Sequence, residues 1–292
     1  MNSIKDYGKI IYELSFKKAI ESLPPLISDY RFITLNVLDK DIDKLHKDNK
    51  FIKIKDKIKD ITAREFATAV ALRKTIRDLK INNALSFHSS IKRAKNFQKQ
   101  QELIDEVYED FEKLNTYHVS GDMSSSKRVS QMRLFAEQKG LMTNARCLTE
   151  GVDLPAIDCV CFTDPKRSKV DIVQAAGRAL RLSHETKKKF AYILVPLYIP
   201  DDLDPQIAVR DTAFEEIVTV IAALSIQDSR IKDFLKSVTV GSKPSVGKKV
   251  DGLISINILE SVDSEKFKNA IFIKVWDKIA RVNFCTYEEA KK

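Results

Sequence analysis

Hydrophobic residues recur at helical spacing from about residue 61 to about residue 200, and short apolar runs separate the helical stretches. Thr62 and Glu65 form a capping-box pair ahead of the first apolar stripe, which predicts a helix there. The apolar runs read NALSFHSS, TYHVS, GLMTNA, DCVCF and FAYILVPL. They lack regular alternation, as expected for strands that helices cover on both faces. The pattern therefore predicts an α/β fold with a parallel sheet, whose ligands gather outside the carboxyl ends of the strands.

The two flanking regions fit this pattern less regularly. Residues 1–60 contain DYRFITLNVL, a candidate edge strand, and a mixture of lysine and aspartate that is typical of an inter-domain connector. Residues 201–292 read as a helical and mixed extension. One predicted helix there has an apolar side formed by Phe214, Ile217, Val218 and Ile221. That side predicts either core packing or a docking face for another domain. The predicted divisions are a connector over 1–60, a main domain over 61–200 and the extension over 201–292.

The composition is basic, with 50 Lys+Arg against 41 Asp+Glu and a formal net charge of +9. This excess favours polyanionic partners, and it is equally compatible with a solvated basic surface.

The cysteines and histidines show no metal-ligand spacing, so no metal site is predicted. The sequence shows no apolar run of membrane-spanning length and no secretory leader. We therefore expect a cytoplasmic protein with no membrane partner.

The stretch IVQAAGRALRLS, residues 172–183, carries two arginines on an otherwise small and apolar background. Ser168 and Asp171 form a second capping-box pair, which predicts a helix that starts near Lys169. Helical spacing would place four residues on one face of it: Gln174, Gly177, Arg178 and Arg181. One interpretation is that Arg181 complements the helix dipole while Arg178 pairs with a carboxylate. The other is that this face binds an anionic ligand.

The segment TNARCLTEGVDLP, upstream of that helix, reads as a strand followed by an irregular loop. Gly151 permits close backbone approach or a positive φ. Asp153 is a candidate acceptor for hydrogen bonds from a ribose. The loop also contains Glu150.

TNARCLTEGVDLP followed by QAAGRALRL resembles motifs V and VI of superfamily 2 helicases and translocases. The resemblance covers about residues 61–200 and is strongest to restriction-type predicted helicases. It implies the second RecA-like motor domain of such a protein, with a P-loop NTPase-like fold. It also implies that Arg181 is the arginine finger, that Arg178 acts beside it, and that Gln174 lines the nucleotide cleft. Four further residues would lie at the nucleotide: Glu150, Gly151, Asp153 and Gly177.

The same resemblance implies a nucleic-acid surface on this domain. Residues 87–90 correspond to motif IV, and Thr143 opens motif V. The candidate contacts to the phosphate backbone are Ser89, Gly121, Arg128 and Thr143, with Lys92 and Arg93 as added charge. Hydroxyls, backbone amides and helix amino ends bind phosphate without reading bases. For each, the simpler interpretation is a helix cap or turn residue.

The P-loop pattern GxxxxGK[ST] does not occur in the sequence, and Gly8 is the only glycine before residue 121. A motor of this family needs that loop to bind ATP and Mg²⁺. We therefore expect both to be bound mainly by an absent N-terminal RecA-like domain of the same protein. The sequence YGKIIYELSFKK resembles the passage that joins the two motor domains. By this interpretation the chain is an excerpt and is inactive as an ATPase alone.

Three functions remain open from the sequence. The first is the C-terminal motor domain of an ATP-dependent DNA helicase or translocase. The second is a nucleic-acid-binding or regulatory module that keeps the scaffold without a motor. The third is a double-strand translocase of a restriction or defence system. The motifs do not separate DNA from RNA as the partner, because backbone contacts are largely blind to the sugar.

Overall fold

The computed structural model describes residues 14–38, 61–145, 157–164, 168–182, 188, 190–199, 212–239 and 254–257, together with single positions between 272 and 279. The strands are β1 (Asp29–Leu38), β2 (Asn83–His88), β3 (Thr116–Ser120), β4 (Gly140–Ala145), β5 (Cys159–Phe162), β6 (Phe190–Ile199) and β7 (Ile254–Asn257). The helices are α1 (Phe16–Glu21), α2 (Ala63–Asp78), α3 (Ile91–Val107), α4 (Ser125–Gln138), α5 (Lys169–Ala179), α6 (Thr212–Gln227) and α7 (Ser229–Thr239).

The strands form one seven-stranded sheet in the order β3-β4-β2-β5-β6-β1-β7. Every described pairing is parallel. All residues of β2, β4 and β5 are buried, which explains why the apolar runs lack alternation. The predicted parallel α/β fold is confirmed.

Helices cover both faces of the sheet. One face carries a core in which Phe87, Ile172 and Ile193 pack together. The opposite face carries a second core that includes Phe66 and Leu141. Because alternate residues of a buried strand point to opposite faces, each central strand contributes to both cores.

Side-chain caps set the amino ends of five described helices, and the first is Ser15 at α1, which accepts a hydrogen bond from the backbone N–H of Lys18. The Thr62 and Glu65 capping box is present at α2. The caps of the next three helices are single serines, namely Ser90 at α3, Ser124 at α4 and Ser168 at α5. The predicted start of α5 near Lys169 is confirmed, because Ser168 accepts a hydrogen bond from the backbone N–H of Asp171 at 3.3 Å.

The strand predicted from DYRFITLNVL forms, but its expected place at the edge is wrong. β1 lies between β6 and β7, with Asp29 opposite Phe190 and Phe32 opposite Ile254. Tyr30 and Phe32 are each 1% exposed. The apolar pattern is local and does not reveal that strands distant in sequence pair on both sides. The domain divisions at residues 60 and 200 stay a prediction.

The extension contributes to the same core. Ile217, Val218 and Ile221 on α6 are fully buried, as core packing predicts. The side chain of Phe214 lies outside the described residues. Of the helices that the structure describes, none combines the length and apolar character that a membrane span requires.

A buried ionic cluster joins the start of β1 to the beginning of α7. Arg230 donates to Asp228 at 2.7 Å and to Asp29 at 2.9 Å. The hydroxyl of Tyr30 donates to Asp228 at 3.0 Å. Asp228 is fully buried, so its charge depends on these partners.

Candidate nucleotide and nucleic-acid sites

The arginine-bearing helix α5 ends earlier than its sequence pattern predicts. Leu180 is its C-cap, and Arg181 follows the cap. The backbone N–H of Arg181 donates to the carbonyl of Arg178 at 3.4 Å, in a final tight turn. Arg181 therefore does not continue a helical face with Gln174 and Gly177, because the helix has already ended.

Arg178 and Arg181 have different surroundings. Arg178 is 9% exposed, whereas Arg181 and Gln174 are exposed. Burial lowers the pKa of the Arg178 guanidinium, and the positive charge of Arg181 lowers it further. Two cations that raise each other's electrostatic energy are stabilised by an anion placed between them. This arrangement suits a phosphate group.

The end of α5 lies at the amino ends of the strands. The carbonyl of Leu180 accepts hydrogen bonds from the backbone and the hydroxyl of Ser28, at 2.8 and 3.1 Å. Ser28 immediately precedes β1. The parallel sheet predicts ligands outside the carboxyl ends of its strands, whereas the arginine pair lies at their amino ends. The helix runs back across the sheet from the end of β5, which carries its last residues to the opposite edge.

Lys188 is a residue of this site that the sequence did not single out. Its ammonium donates to the carbonyl of Ala179 and, at 2.8 Å, to that of Ile157 just before β5. Burial lowers the pKa of Lys188 to about 8, and Asp158 opposes that shift. Within the sequence, this residue is one of three consecutive lysines, a pattern typical of a solvated surface.

The other predicted nucleotide contacts are only partly described. Gly177 is half-buried, and a Cβ added to it would lie 3.8 Å from the ring of Phe16, which is ordinary contact. Its small size is therefore not required by packing against the described residues. Glu150, Gly151 and Asp153 lie outside the described residues.

At the carboxyl edge of the sheet, Asp164 brings two predicted contacts together. Ser89 donates to it from its backbone N–H at 2.7 Å and from its hydroxyl at 2.9 Å. Arg93 pairs with the same carboxylate at 2.7 Å and with Glu65 at 3.2 Å. Asp164 is 8% exposed, so it orients Ser89 and Arg93 from beneath. Sequence reasoning missed it, because it is 75 residues away from Ser89.

Thr143 is not presented to an external phosphate. It is fully buried, and its hydroxyl contacts Nδ1 of His118 at 2.9 Å and donates to the carbonyl of Tyr117 at 3.3 Å. The other ring nitrogen of His118 lies 3.1 Å from the hydroxyl of Ser120, which in turn donates to Asp122. Thr143 is thus linked to the turn after β3 by hydrogen bonds through His118 and Ser120.

The remaining nucleic-acid candidates lie around the same edge. Gly121 is exposed in the turn after β3, and Lys92 is exposed in the first turn of α3. Arg128 is half-buried on α4, where its guanidinium donates to the hydroxyl of Ser125 at 3.4 Å. Lys95 and Asp122, 3.9 Å apart, link α3 to the turn. The structure therefore groups every nucleic-acid candidate except the buried Thr143 at a solvent-accessible edge.

A parallel sheet covered by helices on both faces, with a cationic helix end at its amino edge, defines a RecA-like α/β domain. Residues 67–183 match the family model described as "Helicase conserved C-terminal domain". Residues 67–183 therefore have the sequence features of a superfamily 2 helicase C-terminal domain.

Two curated proteins with helicase names resemble the chain in sequence. IRC3 of Saccharomyces cerevisiae, an ATP-dependent helicase by name, is 33% identical over 24% of this chain and 10% of its own length. A protein of African swine fever virus, named as a helicase, is 26% identical over 61% of this chain and 19% of its own length. The matches thus span less than a fifth of either relative.

Two solved structures share the fold. The ATP-dependent Type ISP restriction-modification enzyme LlaBIII bound to DNA has a TM-score of 0.72 at 23% identity, over 96% of this chain and 19% of that one. An HsdR-type fragment of a type I restriction enzyme from Vibrio vulnificus has a TM-score of 0.51 at 17% identity, over 68% of this chain and 41% of that one.

Proposed function

We propose that this chain supplies the C-terminal motor domain of an ATP-dependent DNA helicase or translocase. The observation that carries the proposal is the pair formed by Arg178 and Arg181 at the amino edge of the sheet. Arg178 is largely desolvated, and the positive charge of Arg181 lowers its pKa further. The backbone between the two arginines is held in place, because Lys188 donates to the carbonyl of Ala179 and Ser28 donates to that of Leu180. A fixed, partly desolvated cation pair is suited to stabilising charge on a phosphoryl group.

In this proposal Arg181, which is exposed, is the arginine finger, and Arg178 contacts the same phosphates from its nearly buried position. Gln174, exposed earlier on α5, would line the nucleotide cleft. ATP supplies the γ-phosphoryl group whose transfer releases the energy for movement. The sequence contains no GxxxxGK[ST] loop, so the P-loop and the main contacts to Mg²⁺ come from a first RecA-like domain.

The carboxyl edge would hold nucleic acid. Gly121 and Arg93 offer a backbone amide and a guanidinium there, Lys92 adds charge, and Asp164 positions Ser89 beside them. Such groups bind the phosphate backbone without reading sequence. DNA is proposed as the partner because the structural relative that matches 96% of this chain is a restriction-modification enzyme bound to DNA.

The test compares ATP hydrolysis by this 292-residue chain with hydrolysis by the natural longer reading frame that contains it. Each is assayed alone and with single-stranded or duplex DNA. The proposal predicts DNA-stimulated hydrolysis in the longer protein and none in the chain alone. Absence of hydrolysis in both would contradict the motor and favour a nucleic-acid-binding module on the same scaffold.

A second candidate function is double-strand translocation in a restriction system. It is favoured by the fold match to LlaBIII over 96% of the chain. A triplex-displacement assay on duplex DNA separates the two outputs. Displacement without strand separation would assign translocation, whereas separation of a forked duplex would assign a helicase.

A further inference from the structure

A second basic pocket lies at the amino edge of the sheet, beside the starts of β2, β3 and β4. Its volume is about 470 Å³, which is within the usual range for small-molecule sites. The ends of α2 and α4 and the loop before β3 form its walls. None of its lining residues is among the nucleotide or nucleic-acid candidates described above.

Basic side chains dominate this pocket. It is lined by five of them, Arg73, Arg77, Lys80, Lys113 and Lys139, and by one acidic residue, Glu112. Arg73 and Arg77 pair with Asp105 and Asp78 respectively. Lys80, Lys113 and Lys139 form no ion pair within the part of the chain that the structure describes. The pocket therefore keeps a net positive charge.

Arg73 is the most deeply buried cation of the pocket wall. It is 2% exposed and lines the pocket. Its Nη2 donates to Asp105 and, at 2.7 Å, to the carbonyl of Glu112. Its Nη1 is buried and meets no hydrogen-bond partner among the described residues. Buried guanidinium donors are rarely left unsatisfied, because the desolvation cost is then not offset.

The backbone at two pocket lysines is unusual. Lys80 has a φ of 53° and Lys139 a φ of 59°, at the ends of α2 and α4. Glycine is the residue that adopts such a conformation without cost after a helix. A lysine there also complements the helix dipole, which accounts for one cation at each helix end. It does not account for Lys113, which lies in a loop, or for the buried Arg73.

Phe111 gives the pocket an apolar wall. The guanidinium carbons of Arg73 and Arg77 each lie 5.5 Å from the centre of its ring. Cation–π attraction at this distance holds the two guanidinium groups near the ring.

We propose that this pocket binds a small phosphorylated ligand. Its phosphates would lie among Lys80, Lys113 and Lys139, while an apolar part of the ligand packs on Phe111. The proposal is independent of the motor function, because it uses no residue of the arginine pair or the carboxyl edge.

The test is calorimetric titration of the 292-residue chain with inorganic tripolyphosphate at moderate salt. The variant Lys80→Gln/Lys113→Gln removes two pocket cations. The matched control, Lys99→Gln/Lys236→Gln, removes two exposed cations elsewhere. Charge-assisted contacts predict affinity about tenfold weaker or more in the pocket variant. We expect the control to stay within about twofold of the unmodified chain, as most surface substitutions do.

Two further arms separate the outcomes. An Arg181→Ala variant should bind tripolyphosphate at the pocket as the parent does; loss of binding there would assign the signal to the arginine pair instead. A single-stranded oligonucleotide should not compete. No binding at millimolar tripolyphosphate, or equal loss in the pocket and control variants, would overturn the proposal. Thermal unfolding of each variant verifies that it is folded.

Discussion

The two edges of the sheet offer different chemistry to a phosphate. At the amino edge, Arg178 lies in the last turn of α5 and Arg181 follows its C-cap, where Lys188 and Ser28 hold the carbonyls of Ala179 and Leu180. At the carboxyl edge, Asp164 orients Ser89 and Arg93. β2 separates the edges by about 20 Å, at about 3.3 Å for each of its residues. One domain can therefore hold two phosphate-bearing ligands at once without overlap.

The difference also concerns solvent. The amino edge has a nearly buried cation in Arg178, where electrostatic interactions are strong. The carboxyl edge has Arg93 at 47% exposure, where water and salt weaken them. The first environment suits stabilisation of a transition state. The second environment suits contacts to nucleic acid that form and break repeatedly.

Replacement of Arg181 at the amino edge should have the largest effect, and the affected quantity is the rate of ATP hydrolysis. In the proposed longer protein that includes a P-loop domain, Arg181→Ala should reduce DNA-stimulated ATP hydrolysis about a thousandfold, the usual contribution of an arginine finger. Arg181→Lys should restore little, because an ammonium lacks the planar fork. Steady-state hydrolysis at saturating DNA measures both. Undiminished hydrolysis by Arg181→Ala would contradict the assignment.

Next in size is the buried cluster that supports the start of β1 at the amino edge. Asp228→Ala leaves Arg230 without its main partner and should lower the free energy of unfolding by about 3–5 kcal/mol. Asp233→Ala, at an exposed position on the same helix, should change it by about 0.5 kcal/mol or less. Urea unfolding followed by circular dichroism compares them. Equal losses would mean that the ionic cluster is not what stabilises this edge.

The carboxyl edge should show a smaller, salt-dependent effect. Arg93→Gln removes one phosphate contact and should weaken DNA binding about fivefold while reducing the slope of log affinity against log salt by about 1. Lys99→Gln, an exposed charge further along α3, is the control and should leave the slope unchanged. Fluorescence anisotropy at several salt concentrations gives both quantities. An unchanged slope in Arg93→Gln would remove Arg93 from the interface.

The smallest effect concerns pH at the carboxyl edge. Burial lowers the pKa of His118; the charge of Lys95 acts in the same direction, and that of Asp122 opposes it. As the pH falls below about 6.5, the unfolded chain therefore takes up a proton before the folded chain does. The stability contributed by neutral His118 is present above that pH and is lost below it. The free energy of unfolding of His118→Gln should decline less steeply between pH 7.5 and 5.5 than that of the unmodified chain. Parallel curves of the free energy of unfolding against pH for the two proteins would contradict this.

Sequence patterns predicted the local elements well. The run GLMTNA became β4 with the same bounds, and the Ser168 cap began α5 where expected. Helical spacing did not predict that α5 ends before Arg181. Residues that meet through tertiary contacts escaped prediction, because Asp164 reaches Ser89 and Lys188 reaches Ile157 only after the strands assemble. The burial of Thr143 depends in the same way on its pairing with His118 across two strands.

A double-mutant cycle tests the division between the edges most directly. Arg181→Ala, Arg93→Gln and the double variant are compared in the longer protein for ATP turnover at saturating DNA and for nucleotide-free DNA affinity. The account predicts that Arg181→Ala changes only turnover, that Arg93→Gln changes only affinity, and that the double variant shows both losses within about 0.5 kcal/mol of their sum. A large loss of nucleotide-free DNA affinity in Arg181→Ala would contradict it.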